Sequence, residues 1–478
     1  MNLSRRVYRL SPSQLSAETI AVTFAKTSRS PEPFDVIAAE LDAEKSARFS
    51  EKWIVGYGHS SVAEHAILHL ALENISRLAI ETIESNRLAS YTEKSTRYQE
   101  WNPKAYVIPE EIIGSTFEER YISVLDGLFA TYAEAVTHLR AWSEANTPRI
   151  EGESDKAWAN RARVKAVDVS RFLLPAASMA NVGVTINARA LEYAIRKMLS
   201  SELQEIQSIG AEVKSVATQE LPTLVKYANP IDHLDNVRKI FRQQASKIIA
   251  EPGQAWCHLL QSDLQGQEQV LAATLFRFGE SSYSDCLQQV LAMSAADKTR
   301  LVDSLFEGAN DFDVPLRELE YTSYDFDLVM DQGAYFEFKR HRMMSQTAQP
   351  LTTRLGYAIP KAISEAGFEM RYRQAMKMAG DLYEDLAAWN PKVAAYVVPN
   401  GYNRRVLCRL NLRELFHFIK LRCGENAHFS IRRVARGMFE QVREVHPLFS
   451  AKITVNDRES SQSISEAYFS ELAVRTSR

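Results

Sequence analysis

In "KRHRMMSQTAQPL" (339–351), Lys339, Arg340, His341 and Arg342 stand in a row, followed by the hydroxyls of Ser345 and Thr347. Arginine's planar fork donates two parallel charge-assisted hydrogen bonds, a geometry matched to phosphate. These residue types therefore suit an anion. A second stretch, "ESNRLASYTEKSTRYQ" (84–99), keeps the Arg and Ser spacing but lacks most of that charge. Its later part, with Glu93, Ser95, Thr96, Arg97 and Tyr98, is a second anion-suited cluster. Cations at a helix C-terminus also complement the helix dipole without any ligand. For an isolated Arg-His-Arg that would be the favoured reading. Two polar, charge-bearing loops at equivalent places are hard to ascribe to helix capping alone.

The equivalence rests on an internal repeat. "VSRFLLPAASMANVGVTINARALEYAI" (169–195) aligns without a gap on "VAAYVVPNGYNRRVLCRLNLRELFHFI" (393–419), matching Pro175 to Pro399, Asn187 to Asn411 and Arg189 to Arg413. Upstream, "NRLAS" (86–90) falls on "HRMMS" (341–345), and "AYVIP" (105–109) on "GYAIP" (356–360). The order is the same in both halves. This is a tandem duplication of a unit of roughly 220 residues, far longer than a solenoid period. We divide the chain at 228/229, into 1–228 and 229–478. The first half carries an extra charged stretch (143–165) that reads as a surface excursion.

The elements that position these motifs follow from periodicity. Tyr324, Phe326 and Leu328 alternate with Asp325 and Asp327, which predicts a half-buried strand, with a helix then ending near the Arg-His-Arg. "EHAILHLALENIS" and "RLAIETIESNR" repeat that strand-then-helix order, and 117–142 and 189–207 read as long helices. Strands and helices without βαβ alternation predict an α+β class. The 478 residues are 45% hydrophobic and 24% charged, with a net charge of −3. That balance argues against non-specific nucleic-acid binding. The four cysteines form no CxxC pair, so neither a metal site nor a disulfide framework is expected. With no apolar run long enough to span a bilayer and no secretory h-region, the expected location is the cytoplasm.

"GHSSVAEH" (58–65) followed by "NRLASYTEKSTRY" (86–98) resembles the flavin-dependent thymidylate synthases, and both halves carry the resemblance. It implies two tandem copies of that family's α+β fold, an antiparallel sheet flanked by long helices. The implied activity is reductive methylation of deoxyuridine monophosphate to thymidylate. FAD is the implied cofactor, with methylenetetrahydrofolate and NADPH as co-substrates. The family's homotetramer, with sites at subunit junctions, implies a homodimer of this duplicated chain.

Carried over residue by residue, the resemblance divides between the halves. The first keeps His59, Ser61, Glu64 and His65, the nucleotide loop Glu93, Ser95, Thr96, Arg97 and Tyr98, and the nucleotide-facing Arg171, but has Ser85 and Asn86 in its Arg-His-Arg position. The second keeps Arg340, His341, Arg342, Ser345 and Thr347, with Asn411, Arg413 and Arg422, but has Ala348, Pro350 and Ala395 where Glu93, Ser95 and Arg171 stand. Glu337 and Phe338 replace a family Gln ahead of the Arg-His-Arg, and His417 a family Asn.

The implied reading is a composite site. Arg340, His341, Arg342, Ser345 and Thr347 hold FAD, with His59, Ser61, Glu64, Asn187, Arg189, Asn411, Arg413 and His417 as further cofactor residues. Glu93, Ser95, Thr96, Arg97, Tyr98 and Arg171 hold the nucleotide. Arg422 acts at the base, and Ser95 sits at the reacting nucleotide without serving as a covalent nucleophile. Asn187 and Arg189 also read as helix-capping and solvating residues. Two other readings stay open: a related C5-alkylating enzyme on another pyrimidine nucleotide, and a non-catalytic nucleotide-binding relative.

Arg340→Ala or Arg342→Ala should release flavin, and Arg87→Ala much less. A charge-assisted hydrogen bond is worth about 1.5–3 kcal/mol, or on the order of 10–100-fold in affinity. Flavin content after gel filtration reads the result, and equal loss from both halves would refute the division of labour.

Overall fold

The computed structural model describes residues 8–10, 12–28, 30–52, 60–249, 255–310 and 312–472. The chain forms two compact units: Met1–Ser95, Ala105–Glu118 and Ala177–Ile249 make the first, and Thr96–Lys104, Glu119–Ala176 and Ala250–Arg478 the second. These units do not follow the sequence division at 228/229: two segments of the first repeat belong to the second unit, and residues 229–249 belong to the first.

The first unit is built on an antiparallel sheet of order β1-β3-β2, with β1 (Ile67–Ser76), β2 (Ala89–Glu93) and β3 (Met179–Asn187). The second carries β4 (Cys257–Ser262), β5 (Ser323–Asp331), β6 (Ser345–Ala348) and β8 (Asn403–Asn411) in the order β4-β5-β8-β6. It also holds a short pair of β7 (Ala358–Pro360) and β9 (Phe469–Leu472). The order β5-β8-β6 repeats β1-β3-β2 down to register. Ile67 faces Asn187 and Ser90 faces Thr185; Ser323 faces Asn411 and Ser345 faces Arg409. A bulge between Leu72 and Ile75 makes β1 one residue longer than β5. The fold is α+β, as expected, and among the described residues no helix is long and apolar enough to cross a membrane.

Local chemistry makes the elements. Tyr324, Phe326 and Leu328 are fully buried, while Asp325 and Asp327 turn outward to Arg409 (2.5 Å) and Arg405 (2.9 Å) of β8. β1 and β5 each run directly into a helix whose N-cap is the strand's last residue. Ser76 Oγ accepts from Ala79 N, and Asp331 Oδ1 from Ala334 N. Asn187 and Asn411 cap the helices Ala188–Leu199 and Leu412–Arg422 in the same way. Two sequence expectations change. The 189–207 helix breaks after Leu199, where Ser200 Oγ turns back to the Arg196 carbonyl and a second helix starts at Gln204. The charged 143–165 stretch is no loose excursion. It includes most of the Asp155–Ser170 helix, which buries Ala162 and Ala166.

Within the second unit the two repeats cross each other symmetrically. Ala176 N donates to Val398 O (3.0 Å) and Asn400 N to Leu174 O (2.9 Å), around an antiparallel bridge between the equivalent Pro175 and Pro399. The helices Glu118–Asn146 and Glu369–Trp389 pair likewise, Arg120 with Asp385 (2.5 Å) and Arg371 with Glu134 (2.7 Å). The Pro175–Pro399 bridge is its own mirror under the repeat and the other contacts come as mirror-related pairs, the signature of an isologous two-fold interface. The longer of the first repeat's two segments, Glu119–Ala176, belongs to the second unit because it pairs there with its own equivalents.

The crossing needs bare backbone at Gly401. A Cβ there would lie 2.6 Å from Tyr372 Oη and 3.3 Å from Phe172 Cδ1, and the Tyr372 hydroxyl is itself held by the Ala358 carbonyl at 2.8 Å. Gly401→Ala should destabilise the protein by about 1–3 kcal/mol through overpacking. Gly424→Ala, whose Cβ meets nothing nearer than 3.6 Å, should leave the denaturant midpoint nearly unmoved.

Candidate functional site

The second unit gathers a cluster of charged side chains around the C-terminal end of the Gln332–Phe338 helix. The crossing sets its geometry. Gly333 N donates to Asn400 O (3.1 Å), and Asn400 Nδ2 donates to the Arg171 carbonyl (3.0 Å). Arg171 stands in the 3-10 turn Arg171–Leu173, and Gly333 leaves room for its guanidinium, since a Cβ would come within 3.3 Å of Nη2. Arg422 ends the Leu412–Arg422 helix, where a cation complements the dipole.

Both arginines reach one carboxylate. Arg171 Nη2 donates to Glu337 Oε1 and Arg422 Nη1 to Glu337 Oε2, each at 3.2 Å. Arg422 Nη2 adds a bond to the Glu337 carbonyl (3.1 Å), and its Nε donates to His341 Nε2 (2.9 Å). Arg171 is 2% exposed, and its Nε is buried with no hydrogen-bond partner. Burial lowers the Arg422 pKa, against the pull of Glu337.

His341 is 4% exposed, with Nδ1 bonded to Glu414 Oε1 (3.1 Å) and Nε2 accepting from Arg422. That pattern fixes the neutral Nδ1–H tautomer, and burial lowers its pKa. His428 is also buried and neutral. Its Nδ1 accepts from Ser430 N and caps the Phe429–Val445 helix, and its Nε2 donates to the Asp168 carbonyl, both at 3.1 Å. Burial drives its pKa well below the usual histidine value, helped by Arg171 and Arg97.

Arg97 lies beside this group. Its Nε and Nη2 take both Asp168 oxygens at 3.0 Å, and Nη1 takes the Asn426 carbonyl at 2.9 Å. Burial works against charge on both partners. It still raises the Asp168 carboxyl above its ordinary range, while the two bonds keep Arg97 protonated.

Other residues singled out in the sequence fall elsewhere. Arg340 is exposed, Arg342 half-buried, and Ser345 and Thr347 lie exposed on the edge strand β6. His417 is exposed, its ring 5.5 Å from that of His341. Thr96 is buried and Tyr98 exposed. Asn187 and Asn411 spend their amide oxygens as helix caps. Arg189 pairs with Glu64 (2.5 Å), and Arg413 with Glu320 (2.8 Å) and the Pro315 carbonyl (2.9 Å), the same ion pair in each repeat. In the first unit Glu93 is buried against Arg77 at 2.9 Å, so its carboxylate is held inside the fold rather than in an open loop. Ser61 is exposed in the turn Ser60–His65, and Ser95 is half-buried. His59 lies outside the described residues. The sequence reading missed Asp168 and His428. It saw Glu337 only as a departure from a pattern. Asp168's one signal is its place a turn before Arg171 at a helix end.

A family model described as "Thymidylate synthase complementing protein" matches residues 10–223 and again 259–448. The chain belongs to this family. Two matches in one chain mean two copies of the family domain. A "UPF0159 protein" of Chlamydia muridarum is 31% identical over 435 residues, 87% of this chain and 82% of that protein. A flavin-dependent thymidylate synthase of Clostridium tetani is 27% identical over 215 residues, 45% of this chain and 82% of that protein. A solved UMP/dUMP methylase of Streptomyces cacaoi bound with 5-Br dUMP is similar over 41% of this chain and 92% of its own, at 17% identity and TM-score 0.34.

The buried neutral histidines give this family member a pH signature. Below about pH 6.5 the unfolded chain binds protons on histidine that the folded His428 and His341 refuse. The unfolded state then binds more protons, so stability falls as pH falls, by about 1.4 kcal/mol per unit for each such histidine. Denaturant melts from pH 7.5 to 5.5 should show this loss. His428→Asn, which retains an acceptor for the Ser430 amide, should flatten the acid limb, and an unchanged slope would mean that His428 titrates normally in the fold.

Proposed function

We propose that the chain methylates deoxyuridine monophosphate at C5 with methylenetetrahydrofolate, using FAD, in a site that draws on both repeats. The observation that carries this reading is the convergence of Arg171, from the first repeat, and Arg422, from the second, on one carboxylate. Beside it Arg171 Nε stays buried and without a partner, a donor that a bound nucleotide would satisfy. Family membership and flavin-dependent relatives support the reaction class.

The residues present fit FAD. Arg340, exposed, and Arg342, half-buried, precede in the chain the exposed hydroxyls of Ser345 and Thr347 on an edge strand, and a cationic rim of these residue types would suit a pyrophosphate. When bound, the flavin supplies the hydride chemistry. His341 does not join that rim as a direct contact, because both ring nitrogens are engaged. Its work is to aim Arg422.

The chain's own part is positional and electrostatic. Arg422, fixed at Nε by His341 and at Nη2 by a backbone carbonyl, presents charge where the uracil ring gains electron density. Preorganised charge in a site shielded from water stabilises such a transition state without reorganisation. Arg171 and Arg97 face the phosphate, and Asp168 holds the Arg97 fork in one plane. A homodimer of duplicated chains would then supply the four domains of the implied assembly.

Anaerobic stopped-flow tests the proposal. Purified protein should carry flavin, and reduced flavin should reoxidise only with deoxyuridine monophosphate and methylenetetrahydrofolate together, forming thymidylate. Arg422→Ala should lower kcat while flavin stays bound, since an interaction made only in the transition state appears in kcat. Colourless protein with no thymidylate formed would leave the non-catalytic reading in its place, and turnover of another pyrimidine nucleotide would favour the related C5-alkylating enzyme.

A further inference from the structure

We propose that the Glu337 carboxylate is a built-in occupant of the anion subsite at Arg171, braced from its other side by Arg422, and that it sets how much negative charge a ligand brings there. The inference rests on the preceding reading only for the identity of the ligand; the competition itself follows from the geometry.

Each Glu337 oxygen takes one arginine, at 3.2 Å, and the residue is 8% exposed. One carboxylate thus cancels half the positive charge of the pair. It does not use up the donors, because Arg171 Nε remains buried without a partner. A phosphate that reaches this buried Nε therefore meets a guanidinium already facing a fixed negative charge. Like charges sharing one buried site repel strongly, since the interior screens them poorly. The subsite should hold a monophosphate against this repulsion and discriminate against ligands that bring more charge. Arg97, on the phosphate side, offsets little of it, because its own charge is already paired with Asp168.

Glu337→Gln removes the charge while keeping the shape. Equilibrium binding of deoxyuridine, deoxyuridine monophosphate and inorganic phosphate to the full chain, with wild-type protein and the Gln and Asp variants, tests the idea. For Glu337→Gln the ratio of monophosphate to nucleoside affinity should rise about tenfold, and inorganic phosphate should bind tighter by a similar factor. Glu337→Asp keeps the charge and loses reach, so its ratio should stay near wild type. An unchanged or lower ratio in the Gln variant overturns the proposal. If that variant does not fold, wild-type protein decides. The nucleoside diphosphate must bind more weakly than the monophosphate, and a tighter diphosphate overturns the idea. The two readings fail separately. Tighter inorganic phosphate in the Gln variant of a protein that binds no nucleotide sinks the function and keeps this inference. Thymidylate formation with an unmoved ratio does the reverse.

Discussion

Asn400 is the residue on which the second unit's chemistry turns. Its N–H bonds the Leu174 carbonyl, its side-chain amide bonds the Arg171 carbonyl, and its own carbonyl accepts from Gly333 at the start of the Gln332–Phe338 helix. One buried asparagine thereby joins a turn of the first repeat to the helix of the second that carries Glu337 and ends at the Arg-His-Arg. Buried backbone groups must be paired somewhere. Here their pairing brings an arginine encoded early in the chain to a carboxylate encoded 166 positions later. The equivalent residue in the first repeat is Ala176, which has no side-chain amide with which to return the favour. The symmetric crossing thus carries an asymmetric link.

That asymmetry explains why the repeats diverge as pairs of positions rather than singly. In the second unit His341 sits between Glu414 and Arg422. At the equivalent places the first unit has Asn86, Ala190 and Met198, and Lys197 Nζ bonds Asn86 Oδ1 at 2.9 Å instead. Removing one partner from a buried charged set leaves the others unsatisfied, at a cost well above the net worth of the bond. A repeat that lost its arginine had reason to lose the histidine and the acid with it. The same logic fills a position in the other direction. The first unit buries Arg77 against Glu93, and the second has Gln332 and Ala348 there.

Much of the frame was legible in the sequence. The duplication, the α+β class, the strand-then-helix order and the location of the Arg-His-Arg came from periodicity and self-comparison, because these are local or repeated signals. The carboxylate partners were not legible. Nothing near Arg97 in sequence announces Asp168, 71 positions away, and nothing in periodicity distinguishes a Glu337 that solvates a helix from one buried between two arginines. Asn187 and Asn411 read equally well as cofactor residues and as caps, and only geometry shows their amide oxygens spent on backbone N–H groups.

The compact units also show what a duplication permits. If each repeat folded as a closed domain, a point of contact between repeats would be an ordinary surface. Instead the Glu118–Asn146 helix and the turn after Ser170 lie in one unit with their own repeat equivalents, and the crossing is isologous at Pro175 and Pro399 and again at Arg120–Asp385 and Arg371–Glu134. An isologous contact between separate identical chains must present every residue twice. Fusing the two copies into one chain removes that constraint, and the sequence uses the freedom. It keeps Arg171 where the second repeat has Ala395, and Arg422 where the first has Met198, so that each side of the two-fold gives one arginine to the same carboxylate. Two identical chains could not make that arrangement without also making its mirror, with a second buried carboxylate to neutralise. Breaking the symmetry spares the fold that second set of desolvated charges.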